Sequence, residues 1–289
     1  MTIVVIGATG RVGSQVVRLL SAAGESVRAL VRDPSQAVTL PGVEWVRGDL
    51  GDQNTLHPLM ARADSAFLLV PNAKGMLEFA HNALVVAEEE GVSYVVKLSA
   101  LGSSPHSTSN MDRWHHEGET ELRNSTVSWT ILRPHAFMQN FLDLAPAMMR
   151  TGKLFSPAAD ARVPFVDARD VAAVAARILT QPGYEGEKYV LTGPASVSYA
   201  EAAHWIGEAA GRPVQYIPET PEQARARLLR EGKAQDAIED FLAMAEYQRA
   251  GGPAAIATPS VKDITGHSPR SFQTFVADHR SVFAAPHAA

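Results

Sequence analysis

Through the first half of the chain, short apolar runs alternate with apolar positions at helical spacing. Residues 3–6 form a continuous apolar run, the pattern of a strand buried on both faces. Val12, Val16, Leu19, Leu20 and Ala23 then recur at helical spacing, and Gly24 closes that helix. The same reading predicts strands over 27–31, 43–46, 66–70, 94–98 and 127–132. Between them it predicts helices over 52–62 (starting at Asp52), 75–90 and 112–124, the second rich enough in apolar residues to be largely buried. Strands alternating with helices imply an α/β fold, a doubly wound parallel sheet with helices on both faces.

The second half is less regular. Residues 163–166 look like a strand, Val171, Val174, Ala175, Ile178 and Leu179 form one helix face, and 189–192 and 198–210 read as strand and helix. Residues 219–250 are charged and helical, first basic (Arg225, Arg227, Arg230, Lys233), then acidic (Asp236, Glu239, Asp240, Glu246). Ile238, Phe241, Leu242 and Ala245 give the acidic stretch a single apolar face. The segment reads as a solvated hairpin of complementary charge, or as a lid over a substrate. Gly251-Gly252-Pro253 breaks it. Ser268 is expected to cap a last helix with Pro269 at its first position, and the tail from Ala284 is expected to fray.

Composition narrows the chemistry. The 289 residues include no cysteine, which excludes disulfides, thiolate metal sites and cysteine nucleophiles. A chain of this size with 46% hydrophobic residues buries enough surface without such staples. Its net charge of −5 lacks the bulk field of a nucleic-acid binder. The N-terminus has no basic segment ahead of an apolar stretch, and no run is long enough to span a bilayer, so a soluble cytoplasmic protein is expected.

The candidate chemistry starts at Gly7-Ala8-Thr9-Gly10-Arg11-Val12-Gly13, between the first strand and the first helix. One glycine permits a tight turn, one lets the backbone approach a pyrophosphate, and one lets helix pack on strand. The helix N-terminus supplies unpaired N–H groups to the anion. A Rossmann-type dinucleotide site is expected. Arg32 stands at the end of the second strand, where an acidic residue would favour NAD. A guanidinium there can grip a 2′-phosphate, with Arg11 approaching the same group, so NADPH is favoured over NADH. Asp33 is expected to start the turn at Pro34, and would weaken that preference if it pointed inward. Residues 1–154 are assigned to the dinucleotide-binding core, 163–192 are expected to return to it, and 193–289 form a smaller, mostly helical substrate or lid region.

Several segments together resemble the NmrA-like family of atypical short-chain dehydrogenase/reductases. They are the glycine turn, Arg28–Pro34, Gly48–Leu50, Trp129–Pro134 with Phe137, Met138 and Asn140, Val163–Ala172 and Thr192–Pro194, with Thr265-Gly266, Phe272 and Phe275 near the end. The resemblance spans nearly the whole chain. It implies reductases of quinones, dyes and other aromatic compounds, but also cofactor-binding regulators. It further implies that Asp49 and Leu50 lie at the adenine, that Leu69, Val70 and Pro71 pass the ribose, and that the segment after Pro134 approaches the nicotinamide.

Ordinary members of that superfamily handle a proton with a tyrosine and a lysine four residues later. The matching positions here are Met111 and His115. The chain's Tyr184–Lys188 spacing match lies far downstream, in a turn after Pro182-Gly183, and is read as chance. Hydride delivery to a quinone or cationic dye needs less acid assistance than ketone reduction and mainly needs stacking on the nicotinamide. Ser99 and His115 are the catalytic candidates, His115 also as a ribose contact, and His135, Phe137, Met138 and Asn140 are the acceptor-lining candidates. No metal site is expected. The expected partner is a small-molecule acceptor, with a homodimer left open and neither nucleic acid nor membrane involved. The leading reading is an NADPH-dependent reductase of a flat conjugated acceptor. A non-catalytic NADP(H)-binding redox regulator and a tailoring reductase or isomerase of an aromatic natural product are the alternatives.

Overall fold

A computed structural model describes residues 1–284. The expected tail beyond Ala284 lies outside the described residues. The main sheet is built from β1 (Thr2–Val5), β2 (Ser26–Val31), β3 (Val43–Arg47), β4 (Ser65–Leu68), β5 (Tyr94–Leu98) and β6 (Ser128–Pro134). Interleaved with them are α1 (Gly13–Ala22), α2 (His57–Met60), α3 (Met76–Glu89) and α4 (Asn110–Asn124). After β6 come α5 (Asn140–Thr151), β7 (Lys153–Ser156), β8 (Arg162–Val163), α6 (Ala168–Thr180) and β9 (Lys188–Leu191). The remainder comprises β10 (Val197–Ser198), α7 (Tyr199–Ala210), β11 (Gln215–Pro218), α8 (Pro221–Arg230) and α9 (Gln235–Ala250). The short helices α10 (Ser260–Thr265), α11 (Phe272–Asp278) and α12 (Arg280–Phe283) complete it.

The sheet has seven parallel strands in the order β3-β2-β1-β4-β5-β6-β9. The chain winds outward from β1 to β3, then restarts at β4 on the other side of β1. The strand ends of β1 and β4 therefore diverge into a crevice, the place where such sheets take ligands. Strand residues alternate between two cores. Ile3, Val5, Val96 and Leu98 meet α1 and α6 on one face, while Val4, Ile6, Val95 and Ile131 meet α2, α3 and α4 on the other.

A third core lies beyond the sheet. Phe141, Phe165, Tyr199 and Phe272 meet largely edge-on, with ring centroids 4.9–6.0 Å apart. Two small pairings tie this region together, β7 with β11 and β8 with β10. Arg225 of α8 pairs with Glu239 of α9, so the basic and acidic stretches do form a hairpin of complementary charge. Ser109, the N-cap of α4, donates to Asp240 at 2.7 Å and ties α9 to the rim of the sheet.

Three local expectations are corrected. The predicted helix over 52–62 divides into a 3₁₀ turn, Gln53–Thr55, capped by Asp52, and the four-residue α2 with Pro58 near its start. The strand predicted over 163–166 shrinks to β8 plus a single bridge from Val166 to Phe137, outside the main sheet. The last helical stretch starts three residues later than expected, because the Ser271 hydroxyl takes the Thr274 amide and caps α11. The helix α5 and the strands β7 and β11 were not expected.

Candidate active site

The turn after β1 shows why its glycines are needed. Gly7 has φ +75°, and a Cβ there would lie 2.6 Å from the Leu69 side chain, on the strand end across the crevice. The Gly10 amide donates to the Gly7 carbonyl at 3.0 Å, closing the turn. A Cβ on Gly13 would lie 2.1 Å from that same carbonyl, so α1 can start where it does only with glycine there.

The turn opens onto a cleft of about 590 Å³. Gly7, Thr9 and Gly10 form its floor, Arg32, Asp33 and Gln36 one wall, and Asp49, Leu50, Leu69 and Pro71 the other, with Leu30 and Phe79 supplying further apolar surface. The Asp33 carboxylate accepts from the Ser35 amide at 3.0 Å and caps the turn at Pro34, while still bordering the cleft beside Arg32. Hydrogen bonding by Ser35, its side chain first and then its amide, holds the Asp33 pKa below the ordinary value. The Asn82 side chain donates to the Leu50 carbonyl and accepts from Gln53, fixing the loop that carries Asp49 and Leu50. Gly-rich floor, helix N-terminus, arginine wall and apolar slot fit a dinucleotide's pyrophosphate, ribose and adenine.

Other proposed cofactor residues stand apart from this cleft. Val12 is buried in the α1–α6 core and Val70 in the opposite core. The Pro134 carbonyl accepts from the Leu101 amide and ties the β6 end to the loop after β5. Arg11, expected near the 2′-phosphate, instead pairs with Asp143 of α5 at 2.5 Å.

At the far end of the sheet edge, Ser99 follows β5 and donates to Glu119 at 2.5 Å. Glu119 is fully buried and receives two hydrogen bonds from Arg133, at 2.6 and 2.8 Å, and one from Arg123 at 3.3 Å. Burial alone would raise its pKa, but the Arg133 and Ser99 hydrogen bonds prevail and hold it below the ordinary value. His115 lies one turn before Glu119 and is 4% exposed, not the surface residue its helix pattern allowed. Burial, then the neighbouring Lys97, push its pKa down to about 3, so the ring is neutral.

Two acceptor-lining candidates are corrected in their contacts. His135 is buried, with Nε2 2.8 Å from the Ala254 carbonyl and Nδ1 accepting from the Ala136 amide. Both ring nitrogens are thus engaged by backbone, and burial pushes the pKa down to about 4. Met138 is 1% exposed and packs in the third core with Phe141 and Phe165. Phe137 is half-buried beside Val166, and Asn140 is exposed at the start of α5. Sequence reasoning missed Leu30, Gln36 and Phe79 in the cleft, and Lys97 beneath Ser99. Lys97 left one signal, a lone charge inside an apolar strand.

The NmrA-like family model matches residues 1–265. The chain belongs to the NmrA-like family. Among its relatives it is 35% identical over 288 residues to the NAD(P)H azoreductase of Xenophilus azovorans, covering 98% of this chain and 99% of that one. It is 36% identical over 284 residues to a (4-alkanoyl-5-oxo-2,5-dihydrofuran-3-yl)methyl phosphate reductase of Streptomyces griseus, covering 98% and 99%. Its fold resembles the NADPH-dependent quinone oxidoreductase QOR2 of Escherichia coli, solved with NADPH, at a TM-score of 0.87 and 25% identity over 96% of this chain and 99% of that one.

Proposed function

We propose that this NAD(P)H-dependent oxidoreductase prefers NADPH and delivers hydride to a quinone or another flat conjugated acceptor. The observation that carries the reading is the cleft at the β1–β4 crevice, where the glycine turn and Arg32 meet. It is supported by a family whose relatives, matched end to end, carry the names of an azo-compound reductase and a reductase of a conjugated lactone. A reduced nicotinamide held at the sheet edge supplies the hydride.

The chain's own residues do the rest. Arg32 pairs with a ribose phosphate, the first turn of α1 holds the pyrophosphate, and Leu30, Leu50 and Phe79 enclose the adenine. Ser99 and His115 stand on the side where the nicotinamide reaches the sheet edge, and Phe137 and Asn140 border the acceptor. Met111 replaces a proton-handling tyrosine, which restricts the acceptor to one whose reduced form is stable or readily protonated. The test is NADPH oxidation against a panel of quinones, azo dyes and enones. Turnover of at least one class supports the reading. NADPH binding by titration without turnover of any of them overturns it in favour of a non-catalytic regulator.

A further inference from the structure

Strand β5 is apolar along its length except for Lys97, which is 0% exposed. Its side chain leaves the sheet on the face of Val95, toward α3 and α4. Gly118 makes the room: a Cβ there would lie 3.3 Å from Lys97 Nζ and 3.4 Å from Cε. Among the described residues Nζ has no hydrogen-bond partner, and neither has Nδ1 or Nε2 of His115. Buried polar atoms without partners are costly and rare, so three at one place need a reason.

Their arrangement supplies one. The inward residues of α4 are His115, Gly118, Glu119 and Leu122. Positions three apart are neighbours on a helix surface, so His115 stands one turn from the slot that holds the Lys97 amine. A helix that joins two parallel strands runs antiparallel to them, so that turn leads from the sheet interior toward the edge where Ser99 stands. Glu119 is already held by Ser99, Arg133 and Arg123 and provides Lys97 with no hydrogen bond. On the other side, α3 presents Ala80, and its His81 pairs with Glu121. Burial pulls Lys97 down to about 8, against the opposing pull of Glu119 and Glu121.

We propose that Lys97 holds the proton which the reduced acceptor takes up, and passes it through His115. The inference rests on the reductase reading above. Reduction of a quinone adds one hydride, supplied by the bound dinucleotide, and one proton. Hydride addition leaves a hydroquinone monoanion. The amine and the imidazole share no hydrogen bond in the resting structure and exchange the proton when the two side chains approach: one His115 ring nitrogen gives its proton to that oxygen, the other takes a proton from the Lys97 ammonium, and the neutral amine is recharged from solvent. The imidazole is neutral before and after, in keeping with its burial. His115, a weaker acid than the missing tyrosine, thus supplies the proton only after hydride transfer, which suits an acceptor whose reduced anion is stable until it is protonated.

The test pairs a stability measurement with a pH profile, on the native protein, Lys97→Met and His115→Gln. A Lys whose folded pKa is depressed penalises the fold fully below that value and is relieved as pH rises to its unfolded value. Lys97→Met should therefore resist denaturant better than the native protein at pH 7, and the advantage should shrink between pH 8 and about 10.5. A difference that stays constant over that range would overturn the buried ammonium, whatever the enzyme does. In turnover with a quinone, the native kcat should fall as pH rises through about 8, and both variants should lose that limb and about tenfold or more in rate at pH 7. An unchanged alkaline limb in Lys97→Met overturns the relay alone. No turnover by the native protein, with the stability effect present, overturns the reductase reading and the relay with it. Lys97→Gln, polar but without a titrating proton, gives the same comparison if the Met variant does not fold.

Discussion

Arg32 is one residue past β2, and its position alone made it legible: strand, glycine turn and a fixed interval define where a ribose arrives. Replacing Arg32 with Ala should weaken NADPH by about 1.5–3 kcal/mol, the worth of a charge-assisted hydrogen bond, and leave NADH nearly unchanged. Titration of both cofactors checks this, and equal losses would remove the phosphate from Arg32. Gly13 was legible for the same reason, and the structure supplies the cause: Gly13→Ala drives a methyl into the Gly7 carbonyl. The variant should lose both cofactors together, measured by the same titration on folded protein. Lys97 was not singled out, because a pattern along one strand does not reveal which groups from other elements face it.

β1 and β4 were legible because a strand buried on both faces leaves an unbroken apolar run, and β2, β3, β5 and β6 because apolar residues outnumber the polar ones, such as Arg28, Glu44, Lys97 and Thr130, that interrupt them. The shorter strands β7 and β11 were not, and β8 only in part, since each has two to four residues and owes its pairing to tertiary context. α5 escaped notice because Pro146 lies within it. That helix brings Asp143 onto Arg11 of the glycine turn. Both side chains are about half exposed, so the pair contributes little stability. It does hold Arg11 away from the cleft. Asp143→Ala should leave the denaturation midpoint nearly unchanged and tighten NADPH by a few-fold, as Arg11 becomes free to meet a phosphate. Unaltered affinity would show that Arg11 takes no part in cofactor binding.

At the scale of the whole molecule, the two buried neutral histidines couple the fold to pH. Their folded pKa values, about 3 for His115 and about 4 for His135, lie below the unfolded value of 6.5. The unfolded chain therefore binds more protons between those limits, and stability falls as pH drops through 6.5 toward 4. Each fully buried neutral ring makes about 2 kcal/mol of difference between pH 7 and pH 5. Denaturant unfolding should show that loss, and His135→Asn should reduce its slope. The third core, with its edge-on aromatic cluster, encloses Met138 and Phe141, so the chain after β6 contributes more to packing than its sequence suggested. Phe137 is half-buried beside Val166 and Asn140 is exposed at the start of α5, and both are proposed as the acceptor's neighbours. The central claim, hydride delivery to an acceptor that needs little acid assistance, is tested most directly by comparing kcat/KM with NADPH for a quinone and for a simple ketone. The account predicts quinone reduction at least about 100-fold more efficient, the lower range of what acid–base assistance contributes. Ketone reduction at comparable efficiency would contradict it.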